Sequence, residues 1–542
     1  MQKRFYKMAS LAVAAAMALS VLAGCGSASK EANPNENAKG TTGKTSAETS
    51  TAPVTIDWLA YQTSGQPDPE ADIVKQVEKK FNAKFNFWFV DDQKWDDVLN
   101  VKLAAGEMPD VFRIKNTNNI DKYVSMGILA ELPEAKIREW APNYAKIMDK
   151  YDTNKLIWNA TKYNGKNYGF AMCGLDALYP SVLQWRTDWL KNVGITKIPE
   201  TLQEFEAVMY KFRNEDPDKN GKKDTYGMSN TAMMAIFGAF GVLESGKSFA
   251  GADPMYYMLR DGKVAFSCIQ PEAKEALTLL QKWYKDGVID PEFVTGENKG
   301  GYWALSHAFM NNKVGVTGQI NFYHYSPPNT AEGANGGPCY QEITKVNPQA
   351  TFEPAKPPVG PGGKAGTEMG GGVGEKFGLT TKCMKDEKKA KIILSILDAE
   401  FTDEEFGKLV QWGVKDVDYK VANNNVVLTN SNAADIRKKG IQTFNFMQGN
   451  PEIWKKYMPS RYEYADQYAK GLGYIKPSVP PTDAFSKNAE TLKKLYQSAY
   501  IDIITGAKSI DSFSQFVKDF RAKGGDDTEK AMTEAYNKLM GK

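Results

Sequence analysis

Oxygen-bearing side chains recur at short intervals in the stretch "DPDKNGKKDTYGMS". Counted as a twelve-residue calcium loop, Asp216 falls at position 1, Asp218 at 3, Asn220 at 5, Gly221 at 6, Lys222 at 7 and Asp224 at 9. Those are the oxygen-ligand positions, with glycine where the chain must turn and a backbone carbonyl at Lys222. Position 12 is Gly227, where a bidentate glutamate would stand, and "TYGMS" reads as a strand rather than a second helix. The stretch is either a truncated calcium site, with water completing the shell, or a solvated turn rich in Asx residues. Bound Ca2+ would be structural, pinning a helix end to the next strand. Other chemistry is sparse. No GxSxG, HExxH, phosphate-binding P-loop or CxxC occurs, and His307 and His324 are the only histidines, too few for a His-rich metal centre. Acidic residues abound, but no motif sets two carboxylates across a glycosidic bond.

The elements that would carry a site are readable from periodicity. "VTIDWLAY" alternates, with Val54, Ile56 and Trp58 on one face; "ADIVKQVEKKFN" spaces Ile73, Val77 and Phe81 four apart; "KFNFWFV" alternates again. Trp95, Leu99 and Leu103 form another helical stripe, ended near Gly106 and Pro109, before the short strand "DVFRI". Strand–helix–strand–helix–strand predicts an α/β fold with a parallel, doubly wound sheet. Ligands of such sheets bind beyond the carboxyl ends of the strands. Here those ends are Tyr61 and Gln62, Asp91 and Asp92, and Lys115 to Asn119, including Asn116 and Asn118. An aromatic face, carboxylates and amides suit a polyhydroxylated ligand; the same loops are also ordinary solvent-exposed loops. Further on, Thr201 and Glu204 form a capping box before a helix carrying Leu202, Phe205, Met209 and Phe212. A helix ending at Gly287, the strand "NKVGVTGQI", the Pro/Gly-rich "PAKPPVGPGGKAG", a Gly-rich strand "GGGVGEKFGLTT" and a mostly helical tail from Thr482 follow. Trp185, Trp303, Trp412 and the aromatics Phe322, Tyr323 and Tyr325 sit near glycines or loop ends, where a ring can stack on a sugar or pack in a core.

The chain opens with basic Lys3, Arg4 and Lys7 and a short apolar, alanine-rich run, which reads as a secretory signal over residues 1–24. Leu22-Ala23-Gly24-Cys25 resembles the lipobox of bacterial lipoproteins, which implies a lipidated, palmitate-type Cys25 as first mature residue. Residues 25–52 hold almost no large apolar side chain and read as a flexible tether. The formal charge is +3, and three of the basic residues lie in the signal, so the remainder is near neutral. That balance gives no nucleic-acid footprint and disfavours a strongly anionic polymer as ligand. Besides Cys25 there are Cys173, Cys268, Cys339 and Cys383; a disulfide is permitted outside the cell but nothing in the spacing demands one.

The order of "VKLAAGEMPDVFRI", "YVSMGILAELP", "YNGKNYGFAM", "LQWRTDWLKNVGI", "DPDKNGKKDTYGM", "DGVIDPEF" and "PPVGPGGKAG" resembles the extracellular solute-binding lipoproteins of bacterial ABC sugar importers, in particular their large oligosaccharide-binding branch. The resemblance implies a two-lobed, periplasmic-binding-protein-like α/β fold, each lobe a central sheet flanked by helices. It places one lobe at 53–172 plus 373–425 and the other at 173–372 plus 426–542, with crossings near "FAMCGL" and "GGGVGE". It implies a truncated helix–loop calcium site of the kind described. It also implies that Asn230, Gln319, Asn321 and Tyr323 line the second lobe's side of the cleft; Trp303 and Trp412, placed near glycines or loop ends, are the candidate stacking rings. The implied role is a non-enzymatic, monomeric receptor on the outer face of a Gram-positive-type cell membrane, passing its ligand to permease subunits. A surface glycan-degrading enzyme and a lipoprotein presenting ligand to a sensor kinase are the alternatives.

Overall fold

The computed structural model describes residues 52–59, 65–91, 94–115, 117–152, 155–174, 176–249, 255–294, 307–318, 322–330, 332–430 and 432–542. The expected leader, Cys25 and the expected tether up to residue 51 lie outside them. Within this span the expected alternation is realised: Ile56 and Trp58 of the strand Val54–Leu59 are fully buried. The helix Asp72–Phe81 turns Ile73, Val74 and Val77 inward and ends at Asn82, whose φ of 48° is a left-handed cap that asparagine tolerates.

The first lobe's sheet runs in the order Ala83–Phe87, Val54–Leu59, Val111–Arg113, Val373–Leu379, Phe170–Cys173. The first two pairings are parallel and the last two antiparallel. A wholly parallel sheet is therefore corrected to a mixed one. The physical reason is connectivity: Val373–Leu379 returns from the other lobe, without the βαβ crossover that parallel neighbours need. The second lobe's sheet runs Phe352–Ala355, Leu183–Arg186, Val314–Thr317, Tyr226–Met228. Its core joins Trp185, Phe205, Trp283, Tyr496, Tyr500 and Phe520, so the helical tail packs here. Each lobe thus has its own core, and the two-lobed α/β architecture holds.

Residues 426–542 are expected wholly in the second lobe, but the structure distributes them otherwise. Phe444 and Phe446 pack on Trp58 with ring centroids 5.3 Å away in each case. The Trp58 indole donates to the Thr443 carbonyl at 3.2 Å. Ile436 and Ile441 join Ile73. Periodicity marks such residues as core without saying whose core. The chain then crosses a third time, where Gly473–Ile475 pairs in parallel with Thr367–Met369. The other two crossings touch where Gly174 N–H donates to the Gly372 carbonyl at 3.1 Å. Gly371 and Gly372 carry φ of 62° and 86°, a conformation that needs no Cβ.

Candidate ligand-binding cleft and cation loop

A cavity of about 310 Å³ lies between the lobes beside these crossings. Lys115 and Thr117 line it just past the carboxyl end of Val111–Arg113, where the positional rule for α/β sheets puts ligands. Asn159 and Lys162 join them from the end of the helix Leu156–Asn159 and the start of the short strand Lys162–Tyr163. Lys376 enters from Val373–Leu379; its ammonium donates to the Gly374 carbonyl at 3.2 Å, and burial pushes its pKa below the ordinary lysine value. On the facing side, Glu368 accepts from the Tyr256 hydroxyl at 2.6 Å, and the Lys476 ammonium sits 4.7 Å from the centre of the Tyr257 ring. Glu368 is the single carboxylate among the described lining residues.

The sequence-derived sugar candidates divide sharply. Tyr61, Gln62, Asn116, Trp303, Gln319 and Asn321 lie outside the described residues, as does the side chain of Asn118, whose backbone belongs to the turn Thr117–Asn119. Asp91 is exposed and does not line the cavity. Asn230 is buried, and its amide donates to the Phe293 carbonyl at 2.9 Å, so its polar group is spent on the lobe's own backbone. The Arg461 guanidinium lies 4.1 Å from the centre of the Tyr323 ring, so one face of that ring is already occupied, and Tyr323 does not line the cavity. Trp412 is 2 % exposed, in a cluster with Tyr419, Val426, Ile453 and Met458. Both of its faces are closed, which removes it as a stacking platform. Trp185 and Tyr325 are core residues too. Asn159, Lys162, Glu368, Lys376 and Lys476 were the unread members. The one sequence signal was Lys376 itself, a charge set inside the strand "VGEKFGL".

The cation loop joins the helix Leu202–Asn214 to the strand Tyr226–Met228, as expected, and the Thr201–Glu204 capping box is formed. Asp216 caps the turn, its two carboxylate oxygens accepting from Asn220 N–H at 3.1 Å and Gly221 N–H at 3.0 Å. The Asn220 amide nitrogen bridges Asp218 at 2.8 Å and Asp224 at 3.1 Å. The other Asp218 oxygen is buried without a partner. Burial and the neighbouring Asp216 and Asp224 carboxylates raise the Asp218 pKa. Among the described residues no three acidic, His or Cys side chains stand arranged as a closed metal cluster. The donor set nevertheless fits a hard cation: three carboxylates crowd together, one oxygen is orphaned, and a single amide donor spans two of them. Turning that amide would present its oxygen instead, and amide orientation is a matter of partners.

Elsewhere Cys173, Cys268, Cys339 and Cys383 are free and buried. No helix among the described residues is long and apolar enough to cross a membrane.

Against known proteins, residues 72–334 match the family model described as bacterial extracellular solute-binding protein. The chain is similar to bacterial extracellular solute-binding proteins. It is 25% identical over 480 residues to the lipoprotein LipO of Bacillus subtilis (strain 168), spanning 87% of this chain and 89% of that one. It is 24% identical over 531 residues to the polygalacturonan/rhamnogalacturonan-binding protein YtcQ of the same organism, spanning 95% and 96%. The solved structure of the S. pneumoniae ABC-transporter substrate-binding protein FusA, an EF-hand mutant in complex with fructo-nystose, aligns with a TM-score of 0.65. It covers 90% of this chain and 99% of that one at 16% identity, a likeness of fold. The resemblance drawn from the sequence therefore holds, and YtcQ and FusA carry the names of binding proteins.

Proposed function

We propose that the chain captures an oligosaccharide in its interlobe cleft and delivers it to the membrane subunits of an ABC transporter. The observation that carries this reading is the cavity between two separately cored lobes, at strand ends and beside the crossings. The names of YtcQ and FusA, which bind sugars, support it. In this reading Cys25 carries a lipid, residues 25–52 tether the receptor outside the cell membrane, and Asp216, Asp218, Asn220, the Lys222 carbonyl and Asp224 hold a structural Ca2+. The first lobe comprises 53–172, 373–425 and the segment to about Tyr457; the second comprises 173–372 and the helical tail.

The test is a thermal-shift and calorimetric screen against oligosaccharides, with the sugars analysed afterwards. Binding with every sugar recovered intact is the expected result. Released cleavage products would instead favour a glycan-degrading enzyme. Anchoring is checked separately: Cys25→Ser should move the protein from the membrane fraction to the medium, and unchanged retention would rule out attachment at Cys25.

A further inference from the structure

The charge of the cavity differs from the charge of the chain. The chain balances 68 basic against 65 acidic residues. Among the described lining residues Lys115, Lys162, Lys376 and Lys476 stand with one carboxylate, Glu368. Glu368 is already engaged by the Tyr256 hydroxyl. Lys162 stands 3.9 Å from Glu134. Lys376 lies near Glu375, but that carboxylate is held by Arg113, and the Lys376 ammonium itself donates to a backbone carbonyl; Lys476 stands over aromatic rings, and neither lysine forms an ion pair among the described residues.

If the lobes close on a ligand, water leaves these ammonium groups. A desolvated charge without a counter-charge is costly. A neutral sugar offers hydroxyl acceptors but no charge. A carboxylate offers charge-assisted hydrogen bonds, roughly twice as strong as neutral ones. The two ammonium groups also reach the cavity from different elements: Lys376 from the first lobe's sheet, Lys476 from just beyond the third crossing. Lysine is a point charge with rotatable donors, so it accepts a carboxylate at many angles, as a flexible sugar chain requires.

We infer that the cleft takes acidic oligosaccharides, short chains of uronic-acid residues whose carboxylates meet Lys376 on one side and Lys476 on the other. The inference rests on the oligosaccharide-capture reading and reverses the expectation drawn from net charge, which is a property of the whole surface and not of one cavity.

The test titrates the full chain with uronic-acid trisaccharides, including trigalacturonate, with the methyl ester of trigalacturonate, and with neutral trisaccharides. The ester keeps the sugar skeleton and removes the charge. At least one uronate should bind ten-fold or more tighter than any neutral sugar, the trigalacturonate acid should outbind its ester, and the gap should narrow as salt rises. Lys376→Met and Lys476→Met should each weaken the acid at least five-fold while moving the ester little, and Lys376→Arg should keep the preference, which separates lost charge from lost folding. Equal binding of acid and ester, or tighter binding of a neutral sugar, overturns the acidic-ligand inference and leaves oligosaccharide capture standing. Failure of every sugar to bind overturns the capture reading itself.

Discussion

Glu244 is a fully buried carboxyl with two donors aimed at it, the Tyr496 hydroxyl at 2.5 Å and Ser245 N–H at 2.9 Å. Burial outweighs both and pushes its pKa from 4.5 up to about 8. The folded chain therefore keeps this proton where the unfolded chain has lost it. The resulting stability is fully present below pH 4.5 and is lost as pH rises toward 8. The limiting slope for one such group is about 1.4 kcal/mol per pH unit. Glu244→Gln keeps the shape and cannot ionise, so its denaturation midpoint should fall less steeply than the wild type's between pH 5 and 8. Parallel slopes would show that Glu244 does not titrate in this way. A second prediction concerns the cation loop, where Asp218 holds an unpartnered oxygen among like charges. Ca2+ binding only the folded chain would stabilise it by mass action. A chelator should lower the wild-type melting temperature, and the double substitution Asp216→Ala, Asp218→Ala should abolish the response. Identical melting of both proteins with and without calcium would make the loop a turn and nothing more. The loop's residues were legible because their spacing is local. Trp412 was not, because a ring beside a glycine looks alike whether its faces are open or packed.

Among the elements, the short helix Met233–Ala239 is the one whose packing reaches the cleft. All seven of its residues are buried, and it lies against the crossing segment. Glu368 N–H approaches the Met234 sulfur at 3.2 Å, and the Tyr474 hydroxyl donates to the Gly238 carbonyl at 3.0 Å. A Cβ on Gly238 would stand 1.8 Å from the Gly366 carbonyl oxygen, which is backbone and cannot swing aside. Gly238→Ala should therefore push helix and crossing apart, costing about 1–3 kcal/mol in denaturant unfolding and weakening ligand binding through a displaced Glu368. Wild-type stability and affinity in that variant would show that the contact is not tight. At this scale the sequence reads well where a pattern is local: alternation in Val54–Leu59, the Thr201 capping box, the stop at Gly287 with φ of 72°. It reads poorly where partnership is distant. Val373–Leu379 joins Val111–Arg113 across almost half the chain, and Phe444 reaches Trp58 from farther still in sequence. Neither pairing leaves a mark in the local pattern, so strand direction and lobe membership came only from the folded molecule.

At the scale of the molecule, two packed cores are joined by three crossings, and the candidate ligand groups are divided between the sides. Rotating one lobe against the other disturbs neither core. The change can be absorbed by a few backbone torsions, as hinge closure generally is, and Gly371 and Gly372 already occupy φ values open to glycine. A ligand drives such a closure only by binding the closed form better than the open one. Lys376 and Lys476 supply that difference if they contact the ligand together only when the lobes approach. Small-angle scattering of the full chain saturated with a tightly binding uronate should then give a smaller radius of gyration than the free protein, and tryptophan fluorescence should change with the same midpoint. Lys476→Met should still bind at higher sugar concentration yet shrink less at saturation, because it loses a contact made chiefly by the closed form. If scattering is unchanged in saturated wild type, the lobes do not move on the ligand, and capture would have to proceed in a cleft that is already closed.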